Sequence, residues 1–208
     1  KKNNKNLIDL KLNEENLIYI KIISPSFDLK YNLSNNDLSK NISKLIKYSA
    51  PDKNKKTIFI WPEGVFTGFN FEQIKQYKSL FEEAFSEKHL IIFGANTIEE
   101  KFKKPDIYNS LIVTNAKLDI NFKYNKIKLV PFGEVLPFEK FLHKLGLKKI
   151  TEGYGSFTKG SSSDIFTLGN LKLLPLICYE IIFPELIQNQ KNMIVNISED
   201  AWFGSTIG

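Results

Sequence analysis

A chain of 208 residues, 42% hydrophobic and 25% charged, is long enough to bury a core as one domain of ordinary globular composition. Its single cysteine, Cys178, excludes an internal disulfide and a Cys-based structural zinc site, and no window approaches the roughly 20 apolar residues of a membrane span. The formal charge of +6 lies in Lys scattered among Asn, as in "KKNNKN" and "PDKNKK", without interleaved aromatics, which reads as solvated surface and argues against a nucleic-acid partner.

Residues 1–16 are polar and read as a linker; with no leader and no initial Met, the expectation is a piece of a longer chain. "LIYIKII" (17–23) is a short apolar strand. Leu38, Ile42, Leu45 and Ile46 fall at helical spacing within 34–49, with Ser34 or Asn35 as N-cap. "TIFIW" (57–61) is a second strand, closed by Pro62. Ile74, Tyr77, Phe81 and Phe85 share one face of a predicted helix over 71–85. "HLIIFGAN" (89–96) and "NSLIVTN" (109–115) read as strands, and "FEKFLHKLG" as a helix. The cluster "EGYGSFTKGSSSD" lacks the features of a phosphate loop and reads as surface. Residues 163–177 give two strands joined at Gly169-Asn170, and "MIVNIS" (193–198) gives a last strand. Strands alternating with helices, then a hairpin, predict an α/β sandwich.

Three polar side chains stand at the ends of apolar strands, where α/β folds place their chemistry. Glu63 follows Pro62, Lys126 lies in "KYNKIKLVPFGEVLPFEKF", and Cys178 follows "LLPLI". Singly, each has a plainer reading: a solvated loop glutamate, one lysine among several, and a small buried thiol of the usual inert kind. A thiol nucleophile needs a base. His89 opens an apolar strand and His143 lies in a predicted helix, and neither carries a motif. A carboxylate serves instead if burial raises its pKa, and a lysine can hold an oxyanion. Glu, Lys and Cys on three strand-end loops would together make an acyl-transfer site.

"WPE", "YNKIKLVPFGEVLPFE", "LICYE" and "NISEDAWFG", in this order, resemble the carbon–nitrogen hydrolase (nitrilase) superfamily, and within it the membrane branch of apolipoprotein N-acyltransferases. The resemblance runs from about residue 17 to the end. It implies a four-layer α-β-β-α sandwich over 17–208 with C-terminal strands missing, following a membrane region that is absent. It implies Glu63 as general base, Lys126 as catalytic lysine, Cys178 as nucleophile, and Glu134, Tyr179 and Glu180 as supporting residues. Tyr31 stands where the family often has Trp and is a candidate for substrate binding; Glu199 stands where the family usually has Asn.

The implied activity is transfer of an acyl chain from a phospholipid, through a Cys thioester, to the N-terminal amine of a diacylglyceryl-cysteine lipoprotein at the periplasmic face of a bacterial inner membrane. No cofactor or metal is implied; the implied partners are phospholipid, lipoprotein and a membrane surface. The alternatives are a soluble carbon–nitrogen hydrolase with water as acceptor, and a truncated, inactive remnant. The aromatic loop "GVFTGFNF" reads equally well as dipping into lipid or packing in the core. The strand "MIVNIS" is expected to carry an unpaired edge, with Trp202 and Phe203 exposed.

Overall fold

The computed structural model describes residues 17–25, 27, 33–131, 133–135, 156–187 and 191–199. Their apolar runs form a five-stranded sheet in the order β1-β2-β3-β4-β5 and a three-stranded sheet in the order β6-β7-β8. In the larger sheet, β1 (Tyr19–Ile22), β2 (Thr57–Ile60) and β3 (His89–Glu99) run parallel; β4 (Asp106–Thr114) and β5 (Ile120–Asn125) follow antiparallel. In the smaller sheet, β6 (Phe166–Leu168) turns back on β7 (Leu171–Ile177) at Gly169, whose φ of 57° suits the tight hairpin. β8 (Met193–Ile197) pairs parallel to β7 and is the outer strand there among the described residues.

Strand alternation sorts the side chains into layers. One face of the larger sheet (Phe59, Trp61, Ile91, Phe93, Ile112) meets Leu38, Ile42 and Leu45 of α1 (Asn35–Ser49), Ile74 of α2 (Phe71–Lys75) and Phe81 of α3 (Lys78–Ala84). The other face (Ile58, Ile60, Ile92, Leu111, Val113, Tyr124) meets Leu173, Ile177, Val195 and Ile197 of the smaller sheet. The outer face of the smaller sheet presents Leu174 and Leu176 to Leu186. This is the layered α/β sandwich that the sequence predicts.

Helix α1 starts where its cap dictates. Ser34 Oγ accepts from Asp37 N at 3.2 Å, while Asp37 Oδ2 accepts from Ser34 N at 3.0 Å. One expectation needs correction, and one open reading is decided. The helix read over 71–85 breaks into α2 and α3, because Tyr77 leaves helical geometry (φ −98°, ψ 17°) and sends its hydroxyl to Asn35 O at 3.0 Å. The loop "GVFTGFNF" does not reach outward: Val65, Phe66, Phe69 and Phe71 are all buried, with Phe66 set edge-on to Phe93 at 5.5 Å. Their place is under the helical layer, so core packing is the correct reading. The linker at 1–16, Tyr31, the helix holding His143, and Trp202 and Phe203 lie outside the described residues.

Candidate active site

Glu63, Lys126 and Cys178 come from the ends of β2, β5 and β7 and meet at one end of the two sheets. Pro62 ends the β2 segment, so Glu63 turns off the sheet at its carboxyl edge. Gly94 of β3 lies beneath it, and a Cβ there would stand 3.1 Å from Glu63 Cα, so any larger residue would press on the Glu63 backbone. Glu63 is 9% exposed. Its Oε1 accepts from Asn109 Nδ2 at 2.8 Å and lies 3.7 Å from Lys126 Nζ; its Oε2 is buried without a hydrogen-bond partner among the described residues. Burial raises the Glu63 pKa, with the nearby carboxylates of Glu134 and Glu199 adding to the effect, against the lowering pull of Lys126 and Asn109.

Lys126, 1% exposed, is anchored on both backbone sides: its N–H donates to Asn109 O and its carbonyl accepts from Gly160 N, each at 2.9 Å. Gly160 is pressed so closely on Asn125 that a Cβ would collide with the Asn125 carbonyl. Thr158 N also bonds Ile107 O at 2.7 Å, and Phe157 N bonds Glu134 O at 2.9 Å. The segment read as a surface loop therefore, over 156–160, braces the lysine and glutamate from outside. The Lys126 ammonium donates to Glu134 Oε1 at 2.9 Å. Burial would lower its pKa, but Glu63 and Glu134 outweigh that and hold it raised, so it stays a cation.

Glu134 is itself held. Oε1 also accepts from Asn109 Nδ2 at 2.7 Å, and Oε2 accepts from Val130 N at 2.9 Å. The sequence reading passed over Asn109, which sits inside an apolar strand run. Its amide bridges the two carboxylates, and the available signal was an Asn at the start of "NSLIVTN", opposite the Glu63 loop.

Cys178 begins a 3-10 turn, Cys178–Ile182, with φ of 56°, a left-handed conformation that costs a non-glycine residue roughly 1–2 kcal/mol. Such a sharp strand-to-turn elbow lifts the thiol off the end of β7. The thiol is half-buried, and Ser198 hydrogen-bonds to it. Burial raises its pKa, Glu63 adds to the rise, and Lys126 opposes it. The resting group is a neutral thiol. Alkylation by iodoacetamide should therefore be slow at pH 7 and rise only above the ordinary thiol range; fast alkylation at neutral pH would show a preformed thiolate.

Two residues after Cys178 fix the elbow. Tyr179 Oη donates to Leu129 O at 2.7 Å, and its ring lies 5.6 Å from Lys126 Nζ. Glu180 is fully buried with no cation paired to it in the described structure. Its carboxylate accepts from Tyr124 Oη at 2.9 Å, Ile127 N at 2.8 Å, Lys128 N at 2.9 Å and Ile177 N at 2.9 Å. Four donors to one buried carboxylate replace the water it gave up. Burial and that neighbour also push the Tyr124 hydroxyl well above its ordinary pKa. Glu180 thus ties the backbone after Lys126 to the backbone before Cys178. Glu180→Ala leaves these donors buried and unpaired, so it should cost about 3 kcal/mol or more in denaturant titration; a change below 1 kcal/mol would mean the donors find water.

Glu199 sits against Gly64, the residue after Glu63: a Cβ on Gly64 would collide with Glu199 Oε2. Replacing it by the neutral Glu199→Asn removes a negative charge that raises the Glu63 pKa. The acidic limb of the pH–rate profile should then move to lower pH. An unmoved limb would show that Glu63 does not govern it. Tyr31 lies outside the described residues. His89 is remote, at the amino end of β3, with one ring nitrogen accepting from Ser86 N at 3.0 Å and the other bonded to Asp52 O at 2.9 Å. Among the described residues no group of three His, Cys, Asp or Glu is placed to hold a metal.

The structure is an α/β sandwich with a carboxylate, an ammonium and a thiol gathered at its strand ends. The chain belongs to the carbon-nitrogen hydrolase family, whose model matches residues 27–208. It is similar to the apolipoprotein N-acyltransferase of Allorhizobium ampelinum, 31% identical over 201 residues, which cover 92% of this chain and 38% of that protein. It is similar also to the apolipoprotein N-acyltransferase of Rhizobium leguminosarum bv. trifolii, 33% identical over 208 residues, covering 95% and 39%. The chain thus spans about two-fifths of the length of these relatives. Among solved structures, an amidase from Nesterenkonia sp. shares the fold with a TM-score of 0.55 at 14% identity, covering 86% of this chain and 64% of that one. Among the described residues no helix is long and apolar enough to cross a membrane.

Proposed function

We propose that this chain is the catalytic part of an apolipoprotein N-acyltransferase acting by way of a Cys178 thioester. The observation that carries the reading is the buried Oε2 of Glu63, without a hydrogen-bond partner among the described residues, beside the Lys126 ammonium and electrostatically coupled to the Cys178 thiol. The names of the relatives support the choice of reaction. A mutant of the amidase of Nesterenkonia sp. AN1 shows Michael addition of acrylamide at its active-site cysteine, which supports a reactive thiol on this fold.

Glu63, with its raised pKa, takes the Cys178 proton as sulfur attacks the ester carbonyl of a phospholipid. Lys126 stabilises the oxyanion of the tetrahedral intermediate. Collapse breaks the C–O bond; Glu63 returns its proton to the departing alkoxide, and a lysophospholipid leaves. The free amine of a diacylglyceryl-cysteine lipoprotein then attacks the thioester. Glu63 takes the amine proton, the C–S bond breaks, and that proton restores the thiol, leaving an amide. Glu134 and Asn109 position Lys126 and Glu63; Tyr179 and Glu180 position the elbow. The site belongs at the periplasmic face of a bacterial inner membrane, where both substrates reside.

The test is intact-protein mass spectrometry of the full-length enzyme after incubation with phospholipid. One acyl mass should appear on the parent and none on Cys178→Ala. An adduct persisting in the variant would remove Cys178 from its role. Free fatty acid as the product, with lipoprotein present and no amide formed, would make water the acceptor and the protein a hydrolase.

A further inference from the structure

One hydroxyl at these strand ends takes no part in the steps described for Glu63 and Lys126. β7 and β8 run parallel with Ile177 opposite Ile197, so Cys178 and Ser198 are the next residues past the paired ends. Ser198 is fixed from both sides. Ile197 before it is 2% exposed, and its Cδ1 lies against Gly94, where a Cβ would stand 3.2 Å away. Glu199 after it lies against Gly64. The Ser198 side chain hydrogen-bonds to the Cys178 sulfur, and so does the backbone N–H of Tyr179. Both bonds favour the thiolate, against burial and the charge of Glu63.

The charged and titratable groups around the sulfur have other commitments. Lys126, after β5, donates to Glu134 Oε1 at 2.9 Å and, in the proposed mechanism, turns to the oxyanion. Glu63, after β2, carries the proton. Tyr179, on the sulfur's own turn, donates its hydroxyl to Leu129 O at 2.7 Å. Glu134 stands behind Lys126, and Glu199 lies beside the Glu63 loop. The Ser198 hydroxyl is neutral and stays on sulfur while Lys126 follows the carbonyl oxygen. A hydrogen bond to an ion is stronger than one to a neutral group, so this bond strengthens each time sulfur gains charge. That happens twice: when the thiol loses its proton, and when the C–S bond of the thioester breaks.

We propose that Ser198 is a catalytic residue whose hydroxyl donates to the Cys178 sulfur, stabilising the thiolate as it forms and, with the larger effect, as it is expelled from the thioester. The inference rests on the thioester reading and supplies its leaving-group donor. In discharge the amine adds to the thioester carbonyl, and the C–S bond breaks with its electron pair passing to sulfur. The amine proton, held by Glu63, then goes to sulfur; the Ser198 proton stays on its own oxygen. The two steps respond differently. In charging, a stabilised thiolate is more abundant but less nucleophilic, and the effects partly cancel. In discharge they do not, because a thiol of lower pKa leaves faster.

The test compares the parent with Ser198→Ala, Ser198→Val and Ser198→Thr in the full-length enzyme; the last two match in shape and differ in the hydroxyl. The first reading is the pH dependence of alkylation by iodoacetamide, with Cys178→Ala as blank. Loss of the hydroxyl should raise the midpoint by about one pH unit, since a hydrogen bond to a charged group is worth about tenfold or more. Ser198→Thr should stay near the parent. The second reading follows the acyl-enzyme by quenched-flow mass spectrometry, during charging by phospholipid and discharge to a diacylglyceryl-cysteine peptide. Without the hydroxyl, discharge should slow about tenfold and charging only about threefold, so acyl-enzyme accumulates. Denaturant titration checks each fold, and if Ser198→Ala is unfolded the Thr and Val pair reads the hydroxyl. Equal midpoints for Ser198→Val and Ser198→Thr, or charging and discharge slowed by one common factor, would overturn the proposal. A parent that forms no acyl-enzyme fails the thioester reading and the Ser198 role with it. A parent that turns over normally, with no difference between Thr and Val, fails the Ser198 role alone.

Discussion

In the full-length protein, Cys178→Ala is expected to lower acyl transfer on the order of 10⁴-fold or more without unfolding the domain, since in the proposed mechanism it takes away the covalent route entirely. The side chain lost is small and only half-buried, so the cavity term is minor. The backbone adds a second, separable expectation. Cys178 holds φ at 56°, a region where glycine pays no steric penalty. Cys178→Gly should therefore be more stable than Cys178→Ala by about 1 kcal/mol, although both are inactive. Denaturant titration of the two variants reads the difference directly. Equal stabilities would mean that the elbow stores no strain.

Lys126→Met should be comparably inactive, and far less stable. The methionine fills the volume, but Glu63 and Glu134 lose the ammonium that lies 3.7 Å and 2.9 Å away. Breaking a buried pair by removing one partner costs about 3–5 kcal/mol. The pH dependence has a definite sign. In the parent, Lys126 has a raised pKa, so its contribution is complete below the ordinary lysine pKa and is lost only in strong alkali. In the variant, the pull of Lys126 that lowers the Glu63 pKa is gone, so the Glu63 pKa rises further. A carboxyl with a raised folded pKa favours the native state at low pH and loses that advantage as pH rises through it. The gap between parent and variant should accordingly widen from pH 5 to pH 8. A gap that narrows with rising pH would contradict the charge assignment. Lys126→Arg, which keeps the charge, should recover much of the stability and little of the activity.

Much of the scaffold was legible because the residues that form it follow simple periods. Ser34 and Asp37 mark the start of α1, and Gly169 marks the β6–β7 turn. β5 was missed because "INFKYN" interleaves Phe122 and Tyr124 with Lys and Asn, so only one face is apolar over a short span. β3 and β4 extend past their apolar centres to Glu99 and Asp106, where antiparallel pairing rather than burial sustains the strand. For the site, strand ends alone left Glu63, Lys126 and Cys178 with plainer readings, and only the ordered motifs joined them. Asn109 and Tyr124 stayed hidden because their roles depend on what lies across a sheet, 46 residues away at Glu63 and 56 at Glu180. The aromatic loop at 65–71 carries no period that tells a core aromatic from an interfacial one, and the helical layer above it decided the matter.

The carboxylate of Glu180 has a consequence for the order of folding. It grips the chain just after β5, in the larger sheet, and just before the end of β7, in the smaller one. Neither sheet alone brings Cys178 to Lys126, and the partners of Glu180 are 52 to 53 residues apart, so their closure waits on long-range docking. The Cys178 thiol consequently meets Glu63 and Lys126 only after the two sheets have joined. A nascent or half-docked chain carries Cys178 in an ordinary environment, where it titrates as any exposed thiol does. The rate of its alkylation during refolding would then time the final docking step, and the competence of the enzyme is set by the last assembly event rather than by the formation of either sheet.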